Sequence, residues 1–167
     1  MSGIGSSPRS QKLQGRMHEF IKAAYDYQDN TFHSHPGYYI DYFEMRLAQL
    51  QVLHNLHYEI KKIRKMPKQA LVIADYIMYM ADYVVEMNIP DQQIEKLEEI
   101  SEQMKQEELP KTREEFEGRA LLYHILMDLE EFLVYKKRFV SGLDEKKLRI
   151  YWKQEMEQKD SANELQK

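Results

Sequence analysis

The sequence predicts an all-α protein: an antiparallel four-helix-type bundle with one additional short acidic helix and a charged C-terminal helical tail. Three observations carry this expectation. Apolar residues recur at i, i+3, i+4 spacing through several long segments. The six Gly and five Pro fall where those segments break. No alternating strand pattern bounded by turns occurs, and no repeat of fixed period.

The opening residues, 1–12, contain Gly3, Gly5, Ser6, Ser7 and Pro8 and no apolar core. They read as a flexible leader or a cut within a longer protein, not as a secretory signal. The bundle is expected over 13–142. Its first helix runs from about Leu13 to Thr31, with Met17, Phe20, Ile21, Ala24 and Tyr25 as the stripe. Pro36 and Gly37 break it. The second spans about Tyr38 to Lys65, its inward line Tyr39, Phe43, Arg46, Leu50, Leu53, His57 and Ile60. Pro67 suits the first turn of a third helix, with Ala70, Ala74, Ile77, Met78, Ala81 and Val85 inward and Asn88–Pro90 as its stop. A short acidic helix, about Asp91 to Glu107, carries Ile94, Leu97, Ser101 and Met104 and is expected to cap the bundle or lie along one edge. Thr112 and Glu115 form a capping box that opens the fifth helix. Leu122, Ile125, Leu126, Leu129, Phe132 and Leu133 point inward along it, and Ser141-Gly142 stops it. The tail, 143–167, is charged and partly helical around Leu148, Ile150 and Trp152.

Composition narrows the function. At 167 residues the chain is one domain, long enough to bury roughly 70% of its unfolded surface. Mean hydropathy is −0.72, and no run approaches the roughly 20 apolar residues a membrane span needs. A net charge of −4 disfavours nucleic acid as a partner. The absence of Cys excludes disulfides, thiolate metal sites and a cysteine nucleophile. Nucleophile elbows, phosphate-binding glycine loops and dinucleotide fingerprints are missing. No catalytic residue, cofactor or metal site is expected. The His33/His35 and His54/His57 pairs lack the Glu-x-x-His pattern of bundle metal sites.

Arg46 interrupts the apolar line of the second helix, and Arg119 sits at the upper end of the fifth helix's stripe. A buried guanidinium needs a carboxylate or a ligand. Glu115, four residues before Arg119, can pair with it along the helix, while Glu44 faces away from Arg46. Structural ion pairing is the plainer reading. The sharper one is that an arginine anchors a ligand carboxylate, with Tyr42, Glu44 and Glu115 alongside. The twelve tyrosines, Tyr38, Tyr39 and Tyr42 among them, fit the edge of a core or the wall of an aromatic pocket. The basic run Lys61, Lys62, Arg64, Lys65 and Lys68 complements a helix C-terminus. It also suits anionic lipid headgroups.

Leu109-Pro-Lys-Thr-Arg-Glu-Glu-Phe-Glu-Gly-Arg-Ala120, continued through Phe132-Leu133, resembles the C-terminal domain of the aromatic acid exporter family, as does Tyr39-Ile-Asp-Tyr-Phe-Glu-Met-Arg46. The resemblance runs from the first helix to about Arg138, and Leu109–Ala120 is its most specific part. Within it Leu109, Pro110, Thr112, Arg113, Glu115, Phe116, Glu117 and Arg119 are carried over as motif members. Gly118 stands where the family more often has Asn. The resemblance implies a domain on the cytoplasmic face of the cell membrane, partnered by a membrane module of the same or a neighbouring protein. It implies a regulatory or assembly role and no transport by this chain alone. Homo-oligomerisation and contact with anionic lipid are further expected partnerships. A free-standing helical protein-interaction module and a small-molecule carboxylate sensor are the alternatives.

Overall fold

A computed structural model describes residues 8–30 and 35–153. The described residues form α1 (Pro8–Asn30), α2 (His35–Ile60), α3 (Ala70–Ala81), α4 (Asp91–Lys105), α5 (Arg113–Ser141) and α6 (Glu145–Tyr151), with no strand among them. The all-helical bundle read from the sequence is the observed fold. α1 begins at Pro8, a residue suited to a first helical turn, so the helix takes in part of the segment read as a leader.

α5 is the axis of the molecule, 29 residues or about 43 Å long. Leu122, Ile125, Leu126, Leu129, Phe132, Leu133 and Phe139 are buried along it, the predicted stripe and nearly two turns more. α2 lies antiparallel to α5: Tyr38 packs on Phe139, Gln49 bonds to Phe132, and Pro67, beyond the end of α2, meets Gly118. α1 lies antiparallel on α2. Tyr25 bonds to Glu44 near one end, and Leu13 and Arg16 share a groove with Leu50 and Leu53 farther along. α4 packs against both α5 and α3. Leu97, Ile100 and Met104 enter the main core with Ile73, Tyr76 and Met80 of α3, so α4 is a core member and not a cap.

The buried faces of α2 and α3 differ from those read off the sequence. α2 buries Tyr38, Met45, Gln49, Val52 and Leu56, while Tyr39, Leu53, His57 and Ile60 of the expected line are exposed. Phe43, Arg46 and Leu50 are half-buried. The helix is apolar on two sides because it serves two neighbours. α3 is shorter than expected and buries Ile73, Tyr76 and Met80, leaving Met78 72% exposed and Ala74, Ala81 and Val85 outside. Tyr76 decides that rotation: only inward can its hydroxyl donate to the Gln93 carbonyl, at 2.7 Å. α2 stops at Ile60, before the expected Lys65. Lys62 and Ile63 bond three residues back, tightening the last turn ahead of Pro67.

A second cluster closes one end. Tyr38, Met45 and Phe139 gather around Trp152, which is 2% exposed and follows α6. The Trp152 indole donates to the Tyr38 hydroxyl at 2.9 Å, and that hydroxyl donates to Glu86 at 2.7 Å. Tyr151 stacks on Tyr38 with ring centroids 3.9 Å apart. The described part of the charged tail is therefore packed onto the first turn of α2.

Candidate functional site

The residues singled out by the sequence lie in two places. Arg46 faces a groove formed by α1, α2 and Phe132 of α5. Its Nε donates to the Tyr42 hydroxyl at 3.0 Å, and one terminal nitrogen donates to Gln49 Oε1 at 2.8 Å. Gln49 is 3% exposed and donates in turn to the Phe132 carbonyl, which locks it as a platform for the arginine. Glu44 takes no part in this group: its carboxylate accepts from the Tyr25 hydroxyl at 2.8 Å. The groove is open to solvent, measures about 420 Å³ and is walled by Leu13, Met17, Phe20, Tyr42, Phe43 and Leu53, with Phe132, Arg16 and Arg46 also lining it. Phe20 and Phe43 stack across α1 and α2 at 5.7 Å.

Arg119 stands 13 residues before Phe132 on α5, about 20 Å along the helix. The two arginines do not form one site. Arg119 also does not pair with Glu115 as its spacing allows. It donates to the Glu108 carbonyl and lies 3.7 Å from Glu107, tying the end of α4 to the start of α5. Glu115 reaches the Lys111 amide at 2.8 Å, while the Thr112 hydroxyl accepts from the Glu115 amide at 3.1 Å. The Lys111 amide first, and then the Thr112 amide, hold the Glu115 carboxyl below the usual glutamate range by stabilising its charged form.

The Leu109–Ala120 segment is thus a junction. Leu109 is 85% exposed, Phe116 is also exposed, and Pro110 is half-buried. Arg113 and Glu117 face outward. Gly118 is buried, and a Cβ there would lie 3.0 Å from the Pro67 ring, which explains a glycine inside a helix. Lys65, Lys68, Gln69, Glu107, Glu115 and Arg119 line a cleft of about 640 Å³ at this junction. Lys61, Lys62, Arg64, Lys65 and Lys68 are all exposed here.

Sequence reasoning missed three participants. Gln49 and Arg16 complete the Arg46 groove; Gln49, three residues after Arg46 on the same helix, was legible as its neighbour. Lys136 is buried on the α5 stripe and donates to the Val85 and Glu86 carbonyls beneath the rings of Tyr42, Phe139 and Trp152. Its spacing from Phe132 and Phe139 marked it as inward. Among the described residues no group of three or more His, Cys, Asp or Glu is placed to hold a metal ion. His33 lies outside them.

Residues 5–137 match the family described as "Putative aromatic acid exporter C-terminal domain". The chain belongs to this family. The match takes in both the Arg46 groove and the Leu109–Ala120 junction. The family is described as an exporter domain, not as an enzyme. The chain is 32% identical over 98 residues to "Uncharacterized protein YqjA" of Bacillus subtilis (strain 168), a stretch that is 59% of this chain and 30% of that protein. The matched stretch thus spans less than a third of that relative's length. The fold is similar to the "Crystal structure of putative membrane protein from Clostridium difficile 630", with a TM-score of 0.68, 26% identity, and coverage of 79% of this chain and 78% of that one. Among the described residues of this chain no helix is long and apolar enough to cross a membrane.

Proposed function

We propose that the chain is a domain held at the cytoplasmic face of the cell membrane, partnered by the membrane module of an aromatic acid exporter. Its role there is regulatory or assembly-related, and it carries no transport or catalysis of its own. One observation carries this reading beyond family membership. The antiparallel course of α1 on α2 and of α2 on α5 brings three features to one end of the bundle: the start of α1, the basic run and the exposed apolar side chains of the junction. In a C-terminal domain the rest of the protein joins through α1. That end would then face the bilayer. Lys61, Lys62, Arg64, Lys65 and Lys68 offer cations there, each worth about 1 kcal/mol beside an anionic surface. Met66, Leu109 and Phe116 offer apolar contact.

The assembly role has its own support. α3 turns Leu71, Ala74, Met78 and Ala81 outward, an apolar face that the described residues leave uncovered. A second copy or the membrane module would bury it.

The test is made in the whole protein. Cells relying on it for tolerance to an aromatic acid should lose tolerance when this domain is deleted, and the domain expressed alone should give none. Changing Lys61, Lys62, Lys65 and Lys68 to Glu should release the isolated domain from phosphatidylserine vesicles while leaving its helicity intact. Full tolerance from the membrane module alone would defeat the exporter role. Equal vesicle binding by the charge-reversed domain would defeat the membrane-facing orientation.

A further inference from the structure

The Arg46 groove has the chemistry of a ligand site. Its lining is mostly apolar and aromatic, and none of its lining residues is acidic. Two guanidiniums line it, Arg16 and Arg46, and neither makes an ion pair with a carboxylate among the described residues. Every other half-buried or buried cation discussed above is committed: Arg119 to Glu107 and Glu108, Lys136 to backbone carbonyls. Arg46 is half-buried, yet its hydrogen-bond partners are neutral, Tyr42 and Gln49. These two contacts use two of its five N–H groups. They fix the guanidinium plane and leave the other N–H groups for an incoming acceptor. A half-buried cation held by neutral groups in an acid-free apolar groove is under-neutralised.

We propose that this groove binds an amphipathic monocarboxylate carrying one or two planar rings. The carboxylate forms a charge-assisted pair with Arg46, with Arg16 adding charge at the rim. The rings lie along Tyr42, Phe43 and Leu53, in a volume of about 420 Å³ that exceeds a bicyclic acid and leaves room for water. Val84 of the α3–α4 connection also lines the groove. Its neighbours Val85 and Glu86 are held by Lys136 and Tyr38. A bound acid thus touches the segment that links the helices of the main core to the Trp152 cluster. This gives the regulatory role a ligand, but it rests on the groove alone and not on the membrane-facing orientation.

The experiment titrates the full chain with 2-naphthoate, following amide shifts by NMR and heat by calorimetry. Saturable one-to-one binding is expected, with shifts at Phe20, Tyr42, Phe43 and Leu53. 2-Naphthylmethanol, which keeps the rings and lacks the charge, should bind at least about tenfold more weakly, as should Arg46→Gln with 2-naphthoate. Leu53→Trp fills the groove from an exposed position, leaves Arg46 untouched and should abolish binding while retaining the fold. Decanoate should bind more weakly than 2-naphthoate; equal or tighter binding would overturn the ring-bearing ligand in favour of an acyl chain. No saturable binding up to ~5 mM would overturn the site. So would undiminished binding in Leu53→Trp, or equal affinity for the alcohol. A failure here leaves the vesicle and tolerance tests standing, so the two readings separate.

Discussion

Single residues explain why the Leu109–Ala120 segment has the sequence it has. The first turn of a helix leaves amide donors without partners. Thr112 satisfies the Glu115 amide, and the Glu115 carboxylate satisfies the Lys111 amide, so one short stretch closes both. Thr112→Ala should lower stability by about 1 kcal/mol, read from urea denaturation. Acid should uncover the partner bond. Because the folded state holds the Glu115 carboxyl below its ordinary value of 4.5, its contribution is present above that pH and disappears as pH falls through the lowered folded value. Thr112→Ser, which retains the oxygen, should recover most of the loss. If Thr112→Ala leaves the urea midpoint unchanged, the cap contributes nothing and the segment's sequence needs another cause.

At the scale of elements the test case is α6. Asp144 caps it through the Lys147 amide at 2.7 Å, but a seven-residue helix is not stable by itself. Its order comes from Trp152 and Tyr151 packed on Tyr38. Trp152→Ala should cost about 3 kcal/mol and lower Tm by roughly 6–12 °C. Trp152→Phe should cost less, losing chiefly the indole donor to Tyr38. A melting temperature unchanged in Trp152→Ala would show that the tail does not contribute to the bundle. The sequence announced this helix only as a patch around Leu148, Ile150 and Trp152, and its partner on α2 lies more than a hundred residues away. Periodicity reports which side of a helix is apolar, never what covers it. It served α5 and most of α4, each with a single apolar stripe and a charged back. It misled on α2, whose apolar residues meet both α1 and α5, and on α3, where Leu71, Val72 and Met78 are as apolar as the buried face. The same limit held at the site. Arg46 and Tyr42, one turn apart on one helix, were legible together; the distance of Arg119 from them, and the walls given by α1, depended on packing.

The whole molecule is built around two buried phenols, one in each cluster. Tyr38 joins Glu86 to Trp152 in the closing cluster, and Tyr76 joins α3 to the Gln93 carbonyl in the main core. Burial above all pushes both phenols well beyond their ordinary value of 10.0, with the hydrogen bond to Glu86 adding to the rise at Tyr38 and the Trp152 indole opposing it. The consequence for stability has a definite sign. Below pH 10 both tyrosines are protonated folded or unfolded, and their contribution is fully present. Above it the unfolded chain releases protons that the folded chain retains, so unfolding is favoured as pH rises. Each buried phenol adds a slope of up to about 1.4 kcal/mol per pH unit. The urea midpoint should therefore hold near pH 9 and fall steeply by about pH 11. Lysines titrate in the same range, so Tyr76→Phe supplies the control. It should be less stable at pH 9, having lost a buried hydrogen bond, and should show a shallower alkaline decline. A decline of equal slope in wild type and Tyr76→Phe would mean that the buried phenol of the main core does not govern alkaline unfolding, and that repulsion among surface charges does.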